Sequence, residues 1–334
     1  MTEEGAGKNA GTLTRRAMLG TLGAAASLAA GAARAADWPA RTITVIAGFP
    51  AGGPTDVVAR LVADNLSKAL GQAMIVENRT GASGTTAAAY VARATPDGYT
   101  LAVIPSGHAS AAATFAHLPY RSVDDFSMIS LICDYPYVMC TNAASGIKTV
   151  ADLLHAARTR PAPLLFGTPG VGSGPQLAIE LFALKTGIKV QHIPFRGSEP
   201  AALELLAGRL DFMMDPPVTL IPHVRSGKLN ALAVSSAHRY FALPETPTVA
   251  ESGVPDFDVS AWQGLIGPAG LPAPIVARLN AEVGRMLKDP ANIGKLHVFG
   301  DEVTPSSPQA FKQRLEADIA LWTNVANEIH FKKI

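Results

Sequence analysis

The sequence predicts an α/β protein of two lobes, each a doubly wound, mostly parallel β-sheet flanked by helices. Two observations support this prediction. Strands and helices alternate along the chain, and the alternation occurs twice, each time with a glycine-rich turn after the first strand. A chain of 334 residues is long enough for about two domains. With 48% hydrophobic and 16% charged residues, the composition is globular and not fibrous or disordered.

Residues 1–35 are predicted to be a signal peptide and are set aside from the fold. Arg15 and Arg16 precede an apolar stretch without charge, from about residue 18 to residue 33, and the cleavage pattern Ala33-Arg34-Ala35 follows. The stretch is shorter than the ~20 residues of a membrane-spanning helix, and an N-terminal anchoring helix is the alternative. Paired arginines at this place are typical of twin-arginine signals, which export folded proteins.

The composition after residue 35 excludes several classes of partner. It has 24 basic and 25 acidic residues, a formal charge of −1. No basic run with interleaved aromatic residues occurs, so nucleic acid is not an expected partner. No later segment has about 18 uninterrupted apolar residues, so the mature protein is not expected to be embedded in a membrane. No metal-ligand spacing is present either, and no cofactor is expected.

Cys133 and Cys140 are predicted to be buried thiols on strand-like segments. Seven extended residues span roughly 23 Å, whereas the Cα atoms of a disulfide are about 5–6 Å apart. A disulfide would require a tight turn at Tyr135-Pro136, and this is the alternative.

The first alternation begins with a β-branched run at residues 42–49, which is typical of a buried parallel strand. The turn Pro50–Asp56 follows, and then a helix with one apolar face that ends at Gly71. Further elements are a strand at 73–76, a helix at 87–94 and a strand at 101–104.

The second alternation begins with a short strand at 164–166 and the turn Gly167–Pro175. Gly187 is expected to end the next helix, and Ser198 to cap the one after it. The predicted elements are helices at 176–185 and 199–207, strands at 188–193, 210–214 and 229–234, and a helical tail at 274–288, 291–296 and 308–329.

The chain is expected to cross between the lobes near residues 135–142 and to return near residues 258–263. Domain 1 would then comprise residues 36–139 with 260–334, and domain 2 residues 140–259. Trp262 lies at the return crossing, where packing at the hinge is favoured over contact with a ligand.

Both glycine-rich turns predict an anion site. Gly48 and Gly53 have P-loop spacing, but Pro54 occupies the place of the phosphate-binding lysine, which disfavours a nucleotide. A proline in the first helical turn leaves backbone N–H groups free at a helix start, and these suit a carboxylate. The turn Gly167–Pro175 is built in the same way and lacks the dinucleotide pattern. Both turns would face one crevice at the carboxyl ends of the strands, and the alternative is that they are only tight connections.

The candidate ligand-binding residues come from these turns and from strand ends. They are Phe49, Pro50, Ala51, Gly52, Gly53, Thr55, Asp56, Ser106, His108, Gly167, Thr168, Gly170, Gly172, Ser173 and Asp215. Asp56 is expected to stiffen its turn more than to contact a ligand. His108 can contact the ligand or pack in a loop, and Asp215 can bind the ligand or pin the lobes together. No catalytic constellation is present, and no catalytic residue is predicted.

The same segments resemble the Bug family of periplasmic receptors, the substrate-binding components of tripartite tricarboxylate transporters. The matching stretches are 48–56 (GFPAGGPTD), 76–81 (VENRTG), 94–101 (ATPDGYTL), 118–126 (LPYRSVDDF), 192–197 (HIPFRG), 227–234 (GKLNALAV), 243–249 (LPETPTV) and 262–268 (WQGLIGP). The resemblance implies a type II periplasmic-binding fold that closes on a small carboxylate. It also implies that residues 49–56 and 167–173 grip the carboxylate, partly through ordered water. Family members often carry histidine in place of Gln176.

The resemblance implies a periplasmic, monomeric, non-catalytic receptor that delivers a small carboxylate to the permease subunits of a tripartite tricarboxylate-type transporter. The sequence does not identify the carboxylate. One alternative is an exported enzyme that uses His108 or Asp215 as acid or base. Another is a ligand sensor for a membrane signalling protein.

Overall fold

The computed structural model describes residues 38–334, so the predicted signal peptide lies outside the described residues. The strands are β1 (Ile43–Ala47), β2 (Met74–Asn78), β3 (Thr100–Pro105), β4 (Phe126–Pro136), β5 (Val138–Asn142), β6 (Leu164–Thr168), β7 (Val190–Pro194), β8 (Met213–Asp215), β9 (Leu229–Val234), β10 (Ser260–Pro268) and β11 (Glu302–Val303). The helices are α1 (Pro54–Leu70), α2 (Thr85–Ala92), α3 (Gly107–Thr114), α4 (Val150–Thr159), α5 (Gly174–Thr186), α6 (Ser198–Leu206), α7 (Pro217–Arg225), α8 (Ala273–Met286), α9 (Pro290–Val298) and α10 (Pro308–Glu328).

The first lobe is built on a six-stranded sheet in the order β11-β4-β10-β3-β1-β2. Strands β2, β1 and β3 are parallel, and Val45 lies opposite both Val76 and Leu101. Strand β10 lies between β3 and β4 and is antiparallel to both. Helices α1 and α8 bury their apolar faces on one side of the sheet, and α2, α3 and α10 do so on the other.

The second lobe contains β8-β5-β9, paired antiparallel, and the parallel pair β6-β7. A parallel bridge between Phe166 and Phe212 connects the two groups of strands. With helices around the sheets of both lobes, the predicted two-lobed α/β fold is confirmed. The sheets, however, are mixed and not mostly parallel as predicted. The antiparallel pairings come from β4, β5 and β10, which carry the chain between the lobes, and from the strands beside them.

Two crossing segments lie side by side between the lobes. Tyr137 links β4 of the first lobe to β5 of the second, and its backbone N–H donates to the Ser235 hydroxyl at 2.8 Å. The same hydroxyl donates to the Val259 carbonyl at 2.5 Å, just before β10 begins. At the return crossing, the Trp262 indole N–H donates to Asp318 of α10 at 2.6 Å. The crossings are therefore hydrogen-bonded to each other and to the last helix.

The local signals located most elements. Gly71 and Gly187 end α1 and α5 in left-handed conformations, with φ of 71° and 70°. The assignment of Ser198 as an N-cap was wrong, because Gly197 occupies that position with φ 119° and Ser198 is the first helical residue. Cys133 and Cys140 are buried free thiols on β4 and β5, as predicted.

None of the helices within residues 38–334 combines the length and hydropathy that a bilayer crossing demands. The same part of the chain has no cluster of three His, Cys, Asp or Glu side chains arranged to hold a metal ion.

Candidate functional site

Both glycine-rich turns open onto one cleft of about 490 Å³ between the lobes. The first turn joins β1 to α1, and the second joins β6 to α5. The cleft is lined by Phe49, Pro50, Gly53, Pro54, Thr55, Ser83, Pro105, Ser106, Gly107, Ser110, Ala111, Phe115, Tyr135, Tyr137, Pro169, Gly170, Val171, Gly172, Ser173, Gly174, Pro175, Ser198 and Pro216.

Hydrogen bonds to the Asp56 carboxylate hold the first turn rigid. Gly52 has φ 81°, and its N–H donates to the Asp56 carboxylate at 2.8 Å. The same carboxylate accepts from Arg60 at 2.8 Å and from Asn78 at 2.8 Å. Burial works against ionisation, but these hydrogen bonds and the Arg60 charge lower the pKa of Asp56 to about 2. Asp56 therefore stiffens the turn and does not line the cleft.

The second turn is braced from the helix that follows it. Ser173 caps α5, and its hydroxyl accepts the N–H of Gln176 at 3.4 Å. The Gln176 side chain reaches back to accept the Gly172 N–H at 2.8 Å. Gly172 has φ 75°, a conformation that favours glycine. Gln176, at a position where family members often carry histidine, thus shapes the loop from within the lobe.

The second turn also approaches the first lobe closely. A Cβ on Gly172 would lie 2.9 Å from the Thr114 hydroxyl of α3, and a Cβ on Gly174 would overlap the Tyr137 hydroxyl. Thr114 and Tyr137 are themselves buried. Glycine at these two positions allows the turn to close against the crossing strand and α3.

The structure brings the two predicted turns together, but it leaves some candidate residues outside the cleft lining. The candidates that line the cleft are Phe49, Pro50, Gly53, Thr55, Ser106, Gly170, Gly172 and Ser173. Those outside the lining are Ala51, Gly52, Asp56, His108, Gly167, Thr168 and Asp215. Ala51 and Gly52 are exposed in the first turn, whereas the other five residues of the second group are buried. Contact of this group with a ligand stays a prediction.

Burial explains why most of the second group lies outside the cleft lining. The His108 ring stacks on Tyr120 with centroids 5.4 Å apart, and its Nε2 lies 2.9 Å from the Ser122 carbonyl. Burial lowers the pKa of His108 to about 4, so it packs as a neutral ring. Thr168 is fully buried, and its hydroxyl donates to the Gly170 carbonyl at 3.1 Å.

Several lining residues carried no signal in the sequence. Tyr135 and Tyr137 come from the first crossing, and Phe115 follows α3. Ser198 opens α6, and Pro216 precedes α7. Their common property, a place at the end of a strand or at one end of a helix around one cleft, depends on the tertiary fold.

Asp215 lies directly behind the wall formed by Ser198 and Pro216. It is fully buried, and within residues 38–334 neither carboxylate oxygen has a hydrogen-bond partner in good geometry. Burial raises the pKa of Asp215 to about 7, and the nearby Ser198 and Thr219 hydroxyls offset only part of that effect. The carboxyl therefore carries a proton in the folded protein under mildly acidic conditions.

The Asp215→Asn substitution is expected to make stability less dependent on pH. Since the folded-state pKa lies above the unfolded value, the wild type loses stability as pH rises from about 4 through 7. The variant's stability relative to wild type should be roughly 2–3 kcal/mol more favourable at pH 8 than at pH 5. Denaturant unfolding of both proteins at each pH measures this, and a difference that does not change with pH would contradict a buried neutral carboxyl.

Comparison with known proteins matches this chain to one family along most of its length. The model described as "Tripartite tricarboxylate transporter family receptor" matches residues 58–331. A UPF0065 protein in the tcbD-tcbE intergenic region of Pseudomonas sp. (strain P51) is 33% identical over 315 residues, 94% of each chain. Protein BugT of Bordetella pertussis is 33% identical over 314 residues, 93% of this chain and 96% of its own.

Solved structures resemble the whole described fold. The R. palustris Rpa4515 structure with adipate is 35% identical, with a TM-score of 0.78, and the match covers 89% of this chain and 100% of that one. MatC from Rhodopseudomonas palustris with bound malate is 36% identical, with a TM-score of 0.73, and covers 86% of this chain and 99% of its own.

Proposed function

The chain belongs to the tripartite tricarboxylate transporter receptor family, and from this premise we propose that it captures a small carboxylate in the cleft between its lobes. It then delivers the ligand to the membrane permease subunits of such a transporter. The observation that carries the proposal is that two glycine-rich helix starts, one from each lobe, face a single cleft. The adipate and malate found in two similar structures are both carboxylates.

Helix starts supply the positive potential for an anion. Pro54, Gly107, Gly174 and Ser198 line the cleft, and each is the first residue of a helix, while Pro216 caps another. The first backbone N–H groups of a helix have no partner within it, and the helix dipole favours negative charge beside them. A carboxylate needs several donors to its two oxygens and no covalent chemistry, so these groups suit it.

Ligand binding between the lobes is coupled to their closure in this proposal. The domains would comprise residues 36–139 with 260–334, and residues 140–259, and they would move about the two crossing segments. A ligand that contacts the turns of both lobes binds the closed form more tightly than the open form and shifts the population toward it. The permease would recognise the closed form.

The proposed place of action is the periplasm, where the receptor works as a monomer. Residues 1–35 would be removed as a signal peptide, and Arg15 and Arg16 support the twin-arginine route.

A receptor without catalysis is favoured over an exported enzyme. The two residues that an enzyme would use as acid or base, His108 and Asp215, are both buried outside the cleft lining. The lining offers hydroxyls and backbone groups and contains no side chain of Asp, Glu, Lys, Arg or His within residues 38–334. This set can hold a carboxylate but provides no base near neutral pH.

Thermal unfolding of refolded, ligand-free protein against mono-, di- and tricarboxylates tests the proposal. A ligand at about 100 times its dissociation constant should add ~2.7 kcal/mol, which raises the melting temperature by several degrees. Recovery of the unchanged ligand by NMR after long incubation would support the receptor. Conversion of the ligand would instead favour the enzyme, and a panel without any shift would contradict carboxylate capture. Loss of uptake in a deletion strain separates transport from a signalling role.

A further inference from the structure

The walls of the cleft are unusual for a site that holds an anion. Among the described residues none of its lining side chains is charged, and most of the surface facing the cleft is carbon. Its polar groups are hydroxyls and helix-start N–H groups. Among the described residues, the two arginines nearest in sequence to the first turn are already paired, Arg60 with Asp56 at 2.8 Å and Arg41 with Asp97 at 3.0 Å.

Four aromatic rings line this cleft: Phe49, Phe115, Tyr135 and Tyr137. Phe49 and Phe115 are only partly buried. Neither belongs to a hydrophobic core cluster, and neither stacks on another aromatic ring within residues 38–334. The Phe49 ring rests on Gly84, where an added Cβ would lie 3.1 Å from its edge. These two rings are therefore available to pack against a ligand.

The rings come from different parts of the fold and surround the ligand space. Phe49 follows β1 in the first turn, Phe115 follows α3, and the two tyrosines lie on the crossing from β4 to β5. The Tyr137 side chain is buried, and the Tyr137 backbone is held by hydrogen bonds to Ser235 at 2.8 and 3.0 Å. Such a set favours a flat apolar body over a flexible polar one.

A second carboxylate is poorly matched to this surface. One carboxylate can be satisfied by the N–H groups and hydroxyls of the two turns. Without a cation in the lining, a further anionic group would lie against rings and prolines, and burying an unpaired charge is costly. The volume of about 490 Å³ also leaves room for an apolar body beyond the carboxylate.

We propose that the preferred ligand is a monocarboxylate with an aromatic or similarly flat apolar body, and not a di- or tricarboxylate. The inference rests on the proposed function and narrows it. The carboxylate lies at the glycine-rich turns, and the apolar body packs between Phe49 and Phe115. The receptor thereby selects for shape and low charge, where a site lined with arginines would select for charge number.

Calorimetric titration with benzoate, malate and adipate tests the inference on refolded wild-type protein. Benzoate is expected to bind at least about tenfold more tightly than either dicarboxylate. The Phe115→Leu substitution keeps an apolar side chain but removes the ring, and it should weaken benzoate binding by about tenfold. Phe241→Leu is the matched control, because Phe241 is 41% exposed and lies outside the cleft lining.

The outcomes separate this inference from the function beneath it. Tighter binding of malate or adipate than of benzoate would overturn the inference and leave the carboxylate receptor standing. Equal loss of benzoate affinity in both phenylalanine variants would also overturn it, since the effect would then not come from the cleft. Failure of every carboxylate in the wider panel to bind would overturn both.

Discussion

The Gly53→Val substitution is expected to lower ligand affinity at least about 100-fold, or about 2.7 kcal/mol, while the protein stays folded. Gly53 caps α1 and lines the cleft. A Cβ there would meet only the Pro50 carbonyl, at 3.3 Å. A branched side chain would therefore stand in the open cleft, in the space where a carboxylate approaches the backbone N–H groups. Gly53 has φ −76°, so the substitution itself requires no left-handed backbone.

Calorimetry with the best ligand of the panel measures the loss, and thermal unfolding reports whether the fold is intact. Gly294→Val is the matched control. Gly294 lies in α9, is exposed, and a Cβ there would meet no atom within 4 Å. Both variants should cost roughly 1 kcal/mol or less in stability. Wild-type affinity in the Gly53→Val protein would place the ligand elsewhere.

The Gly264→Ala substitution is expected to destabilise the protein by about 3 kcal/mol or more. Gly264 lies in β10, opposite Ile104 of β3 and Leu131 of β4. A Cβ there would overlap the ring of Phe311, with 2.6 Å to its Cε1. Phe311 is fully buried and packs against Trp262 with centroids 5.2 Å apart, so the ring has no room to retreat.

The Gly284→Ala substitution is the same chemical change, but it is expected to stabilise the protein. Gly284 lies inside α8, and a Cβ there would meet nothing within 4 Å. Alanine at such a helical site should stabilise by about 0.5–1 kcal/mol. Denaturant midpoints of the two variants measure the contrast. Equal effects would mean that the Phe311 ring moves aside easily and that the core around it is loosely packed.

The sequence located the parts of the fold that short-range chemistry determines. The β-branched run at β1, the prolines that open α1 and α5, and the glycines that end them are local signals with a direct physical cause. Helix α3 was not predicted, because its sequence, GHASAAAT, has no amphipathic periodicity. Strand β10 was seen only as a crossing, although it occupies the middle of the first sheet.

In the candidate site, too, only the features with a local sequence signal were predictable. The two turns were found because glycine and proline have strong backbone preferences. Tyr137 and Phe115 were not found, because a ring has no local signature for facing a cleft. The choice for His108 between ligand and packing depended on Tyr120 and Ser122, which only the fold brings beside it. Asp215 was recognised at a strand end, but its position behind Ser198 required the coordinates.

The place of β10 between β3 and β4 has a consequence for biosynthesis. A ribosome that has released residues 1–259 has made both neighbouring strands, yet their inner edges still have unpaired backbone groups. Strands β6–β9 can pair during this time, because all of their partners already exist. The strands β5–β9 can thus pair early, whereas the six-stranded sheet of the first lobe is completed only after residues 260–334, 75 residues, have been made. Chaperones that shield exposed strand edges should matter most during this interval.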